Sequence, residues 1–141
     1  MEHKDCKSDP KLKIWFEIIR IYQQFQSKIN SNLNDYELSL PQMDMLATLF
    51  FNGQLNQQEL SEKLLVTKGN ICGLVDRLTE KDLVERKSCN EDRRINHVCI
   101  TEKGKDLINN VMPSHHDLIN SFTSSLNDEE KEILFKLLQK L

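Results

Sequence analysis

Between Lys68 and Arg77 the chain interleaves two kinds of side chain. Ile71, Leu74, Val75 and Leu78 recur at gaps of one, three and four, the pattern of one apolar helix face. Lys68, Gly69, Asn70, Cys72, Gly73 and Arg77 are left for the opposite surface. Such a helix can bury its back and offer small and polar side chains to the major groove of duplex DNA. Lys68 and Arg77 carry the charge to neutralise phosphates. Asn70 has the carboxamide needed for a bidentate contact to adenine. Gly69 and Gly73 would each cost a helix interior about 1 kcal/mol against alanine. Close approach of DNA, or of a neighbouring helix, would account for them.

A second basic group lies downstream. Residues 83–88 and 96–100 read as two strands joined by the polar turn Cys89-Asn90-Glu91-Asp92-Arg93-Arg94, a β-hairpin with a basic flank. Arg93 and Arg94, near its tip, are long enough to enter a narrow minor groove, whose potential attracts arginine. Asp92 would be repelled by phosphates unless it pairs with and orients an arginine.

These residues need elements to hold them. Ser39-Leu40-Pro41-Gln42 is a capping box that starts a helix with Met43, Leu46, Ala47 and Phe50 inside, and Gly53 stops it. Asn56-Gln57-Gln58-Glu59 is a second box, leading into Leu60, Leu64 and Leu65. Val66-Thr67-Lys68 ends that helix, and Thr67 is placed to cap the next. Two short helices joined by a tight turn make a helix-turn-helix. Residues 37–102 therefore form the DNA-binding unit. On either side lie a helix over residues 11–33 and a helix capped by Thr101, which Pro113 is expected to interrupt. A third capping box, Asn127-Asp128-Glu129-Glu130, opens a last helix. The outer segments, 1–36 and 103–141, carry more apolar surface than the central unit can cover. A second copy of the same helices is the simplest cover, giving a two-fold dimer.

The composition fits this plan. A chain of 141 residues suggests one domain. No run approaches the ~20 apolar residues of a membrane span, and the polar start shows no secretory signal, so a cytoplasmic protein is expected. Cys6, Cys72, Cys89 and Cys99 have no C-x-x-C spacing, and a disulfide framework is not expected. Phosphate-cradling, nucleophile-elbow and zinc-protease motifs are absent, so no enzyme, cofactor or metal is expected. His115 and His116 are adjacent, which points them apart on a helix. The net charge of −3 argues at first against nucleic acid. Residues 54–105, however, are close to neutral, and the acidic excess lies in the outer helices.

The combined pattern resembles the MarR family of winged-helix transcription regulators. The resemblance rests on Leu60-Ser61-Glu62-Lys63-Leu64, Thr67-Lys68-Gly69-Asn70-Ile71, Leu74-Val75-Asp76-Arg77-Leu78 and Leu83-Val84-Glu85-Arg86. Asp92-Arg93-Arg94 followed by Thr101-Glu102-Lys103-Gly104 matches the family's wing pattern, and Leu40-Pro41-Gln42 fits upstream. The resemblance implies a mainly α fold with a small β-hairpin: a winged helix-turn-helix flanked by N- and C-terminal dimerisation helices. It implies a homodimer on a pseudo-palindromic operator, commonly a repressor released by a small-molecule effector. The helix near Thr67 would enter the major groove and Arg94 the minor groove, with Asp92 holding the wing arginine. The family's effector pocket lies between the dimerisation helices and the DNA-binding lobe. Here Trp15, Ile19, Tyr22, Met43, Met45 and Phe50 are its candidate lining, and core packing explains them equally well. Cys72-Gly73 departs from the hydroxyl or basic residues the family often carries there, so the operator sequence is not implied.

Other readings share this sequence. Winged helices also serve as protein–protein modules. Cys72, near a helix start and Lys68, is the candidate for a thiol-sensing variant. Cys6, His3, His97, His115 and His116 are the candidates for a metal-sensing one. The DNA reading makes a direct prediction. Arg94→Ala should lose operator affinity in an anisotropy titration while keeping its thermal unfolding midpoint; unchanged affinity would remove Arg94 from the interface.

Overall fold

The computed structural model describes residues 9–65, 69–88 and 96–141. Thr67, Lys68, Asp92, Arg93 and Arg94 lie outside the described residues, as do His3, Cys6 and Cys89. In chain order the elements are α1 (Pro10–Asn34), α2 (Leu40–Asn52), β1 (Leu55–Asn56), α3 (Gln57–Lys63), α4 (Ile71–Glu80), β2 (Val84–Ser88), β3 (Asn96–Ile100), α5 (Glu102–Phe122) and α6 (Asp128–Leu138).

Local signals set most helix starts. Ser39, Asn56 and Asn127 form reciprocal capping boxes with Gln42, Glu59 and Glu130. Each box satisfies two backbone donors that a helix start leaves open. Thr101 Oγ1 accepts from Gly104 N at 3.1 Å and caps α5. Gly53 ends α2 at φ 78°, a left-handed conformation that glycine adopts without penalty.

The core is one cluster. Leu33, Met45, Leu46, Leu49, Leu60, Leu78, Ile108 and Val111 are all fully buried there. Each contributes roughly 1.5–3 kcal/mol of burial. α2 crosses beneath α5, β3 and the helix pair α3–α4. The sheet order is β1-β3-β2, all antiparallel, with Leu55 opposite Val98 and Val84 opposite Ile100. The two-residue β1 was not expected from the sequence; it is too short to show a period.

Three expectations change. α3 ends at Lys63, and Leu65 is 86% exposed rather than packed. α4 starts at Ile71 with Asn70 as its cap, so Gly69 precedes the helix and only Gly73 sits inside it. α5 continues through Pro113 as one helix. Pro113 and Asn109, whose carbonyl loses its usual partner, are both on the exposed side, where water can satisfy that oxygen.

α1 and α4 end in the same way. Leu38 N donates to Leu33 O and Glu37 N to Asn34 O; Leu83 N donates to Leu78 O and Asp82 N to Thr79 O. This is the Schellman pattern, sealed each time by a buried leucine pair. The left-handed position, usually glycine, is held by Glu37 (φ 55°) and Asp82 (φ 59°). A side chain there costs roughly 1–2 kcal/mol. Asp82→Gly should therefore raise stability by about 0.5–1 kcal/mol, after glycine's own entropy cost. A urea midpoint shifted upward at unchanged slope is the expected result; a lower midpoint would contradict it.

Candidate nucleic-acid interface

α3, α4 and the β2–β3 hairpin form one side of the central unit. The connection after α3 is anchored from below by Asp44 on α2. This residue is 7% exposed, and its Oδ1 accepts from Leu65 N at 3.1 Å. Sequence reasoning missed Asp44. The signal was an acid placed between Met43 and Met45 on a core-facing stretch of helix, where a buried charge demands partners.

α4 packs Leu74, Val75 and Leu78 inward and leaves Cys72 and Arg77 exposed. Asn70 is spent differently from the expectation. Its Oδ1 accepts from Gly73 N at 3.0 Å, so the oxygen of the expected bidentate pair is engaged in the cap. That cap also explains Gly73. A Cβ there would come within 2.5 Å of Asn70 Nδ2. The glycine makes room for the cap, whereas Gly69 has open space around it.

Cys72 Sγ donates to Gln57 Oε1 on α3 at 3.3 Å. Behind it lies a cavity of about 220 Å³, floored by Leu60, Ile71, Val75 and Val98 and bordered by Cys72 and Arg86. Arg86 on β2 pairs with Asp76 on α4 at 2.5 Å. Lys87 pairs with Glu85 at 3.1 Å, and that hydrogen bond and charge raise the Lys87 pKa. Burial pushes the Cys99 thiol up, against the opposing charge of Lys87. Arg86 and Lys87 are thus both engaged by acids. Arg77 has no ion-pair partner among the described residues.

The effector candidates differ in exposure. Met43 and Met45 are core residues, 3% and 0% exposed. Trp15 and Tyr22 face outward from α1, and Ile19 and Phe50 are half-buried. Nearby, Ser114 Oγ donates to Val111 O and accepts from Asn32 Nδ2 and the Tyr36 hydroxyl. Asn32 Oδ1 and His115 Nδ1 are buried without a partner among the described residues, and burial lowers the His115 pKa. Among the described residues no group of three His, Cys, Asp or Glu side chains is placed to hold a metal.

The MarR family model matches residues 38–95, which span α2 to the hairpin. The HTH-type transcriptional regulator MhqR of Bacillus subtilis (strain 168) is 30% identical over 134 residues, covering 95% of this chain and 92% of that protein. The transcriptional repressor MprA of Escherichia coli (strain K12) is 29% identical over 133 residues, covering 88% and 74%. Among solved structures, a point mutant of MarR from E. coli complexed with operator DNA superposes with TM-score 0.81 at 26% identity, covering 94% and 98%. AbsC from Streptomyces coelicolor, a MarR family regulator, shares the fold with TM-score 0.85 at 20% identity, covering 94% and 92%. These relatives are transcription regulators and not enzymes. A helix-turn-helix with an antiparallel wing, capped between long outer helices and matched over nearly its full length, places this chain in the MarR family of winged-helix transcription regulators.

Proposed function

We propose that the chain acts as a homodimer that binds a pseudo-palindromic operator and represses transcription until a small molecule releases it. Residues 37–102 are the DNA-binding lobe, and residues 1–36 and 103–141 are the dimerisation region. α4 enters the major groove with Asn70, Cys72, Gly73 and Arg77 forward, preceded by Thr67, Lys68 and Gly69. The wing residues Asp92, Arg93 and Arg94 reach the adjacent minor groove.

The observation that carries the DNA reading is α4 itself. Its buried Leu74, Val75 and Leu78 leave the opposite side free for a groove, beside an antiparallel hairpin. A relative with the same layout was solved on operator DNA. Repression follows the relative named a transcriptional repressor.

The dimer rests on α6, which has no buried residue, with Ile133, Phe135, Leu137 and Leu138 all more than half exposed. An 11-residue helix in water is marginal unless something packs on it. Ile14, Trp15, Phe16 and Tyr22 on α1 are likewise exposed, while only Ile29 and Leu33 of that helix are buried. Exposed apolar surface on this scale marks an interface.

The effector would bind where the outer helices meet the lobe, drawing on Trp15, Ile19, Tyr22 and Phe50. The unpaired Asn32 Oδ1 and His115 Nδ1 would supply its polar contacts. Met43 and Met45 would join only if the core opened. A cytoplasmic location follows from work on DNA, and no helix among the described residues is long and apolar enough to cross a membrane.

Light scattering at micromolar concentration should give the mass of two chains. Affinity for duplex DNA should fall steeply with salt, with a log–log slope of about −0.9 per phosphate neutralised. A one-chain mass, or binding indifferent to salt, would contradict the proposal.

A further inference from the structure

The Asp76–Arg86 pair sits between the two elements that the proposed function assigns to DNA. Asp76 is on α4, one residue before Arg77; Arg86 is in the middle of β2, opposite Val98 of β3. Both side chains are well exposed, 59% and 40%, so the pair is worth little to global stability. Among the described residues it is the side-chain hydrogen bond that joins α4 to the wing strands.

The packing around it gives the pair a different use. A cavity of about 220 Å³ lies where the α3–α4 pair meets the strands, lined by Leu60, Ile71 and Val75 on the helices and by Arg86 and Val98 on the strands. Near the base, by contrast, Val84 and Leu83 are buried against Leu78 and the core. The hairpin is therefore held by packing at its root, by β1 along His97 and Val98 of β3, and on its β2 side by the ion pair to α4. β2 is the outer strand of the sheet, and beyond Val84 the side-chain bond among the described residues that ties it to α4 is this pair.

We propose that Arg86 is a positioning residue and not a phosphate ligand: its bond to Asp76 sets the angle between the recognition helix and the wing, so that both reach their grooves together. This inference rests on the DNA-binding reading above. It also explains an acid on the exposed side of α4 beside Arg77. Left alone, that carboxylate would repel phosphates.

The two roles for Arg86 predict opposite signs for Asp76→Asn. If Arg86 were a phosphate ligand, removing the neighbouring carboxylate would free it and tighten DNA binding. If the pair positions the wing, the same change weakens binding although it removes a negative charge from the interface.

Affinity would be measured by anisotropy on a duplex selected from randomised DNA by the wild-type protein. Asp76→Asn and Arg86→Gln should each lose about tenfold with unchanged salt slope. The exchange Asp76→Arg with Arg86→Asp should recover most of that loss. Equal or tighter binding by Asp76→Asn, or a slope reduced by about 0.9 in Arg86→Gln alone, would overturn the proposal.

A second arm needs no DNA. Nitroxide labels at Gln58→Cys and Ser88→Cys, with the native cysteines replaced by serine, report the distance from α3 to the outer wing. The distribution should be narrow with the pair intact, at least twofold broader in Asp76→Asn, and narrow again in the exchange. A width unaffected by Asp76→Asn would overturn the inference whether or not the DNA-binding reading holds.

Discussion

The turn that follows α4, residues 81–83, is the constraint on which the remaining geometry depends. It is tied on three sides. Thr101 N donates to Leu83 O at 3.1 Å, and Thr101 Oγ1 donates to Asp82 O at 2.6 Å, which fixes the start of α5. Lys103 Nζ reaches Lys81 O at 2.9 Å from the same helix. Lys81 Nζ donates to Glu37 O at 2.7 Å, which joins the cap of α4 to the cap of α1. Gly104 permits the close approach, since a Cβ there would stand 2.3 Å from Leu83 O. α4, the proposed recognition helix, is therefore fastened at its C-terminal end to both long outer helices. In the proposed dimer, the placement of those helices sets the placement of two recognition helices.

Charge has a smaller part than placement. Arg86 and Lys87 carry charge that could attract phosphates, but in the fold they answer Asp76 and Glu85. Arg77 has no ion-pair partner among the described residues. In the proposed dimer, sequence-independent affinity grows with the phosphates neutralised, and two lobes engaging at once would raise avidity without any new contact.

Much of this was legible in the sequence because it is local. The three capping boxes and the Thr101 cap involve residues three apart, and the strands of the hairpin show their period. The family likeness joined these pieces into a winged helix. What sequence reasoning missed is long-range or doubly used. Asp44 acts on a residue 21 positions away, and Arg86 on one 10 positions away. Neither distance is encoded in a spacing rule. Asn70 suits DNA contact and helix capping equally, and only the geometry shows the cap claiming its oxygen and requiring Gly73. Leu65 reads as a core residue until α3 is seen to end at Lys63. The exposed faces of α1 and α6 were expected, because their apolar residues outnumber what one chain can cover.

In the proposed dimer the outer helices, through the 81–83 turn, hold the two recognition helices at one separation. Binding to operators whose half-sites are moved apart tests it directly. The account predicts tight binding at a single centre-to-centre spacing near a whole helical turn, about 10–10.5 base pairs or a multiple of it. Five added base pairs should cost roughly 100-fold or more as the second lobe loses its groove. Affinity that stays level across the spacing series would show lobes that move independently, and would contradict the account.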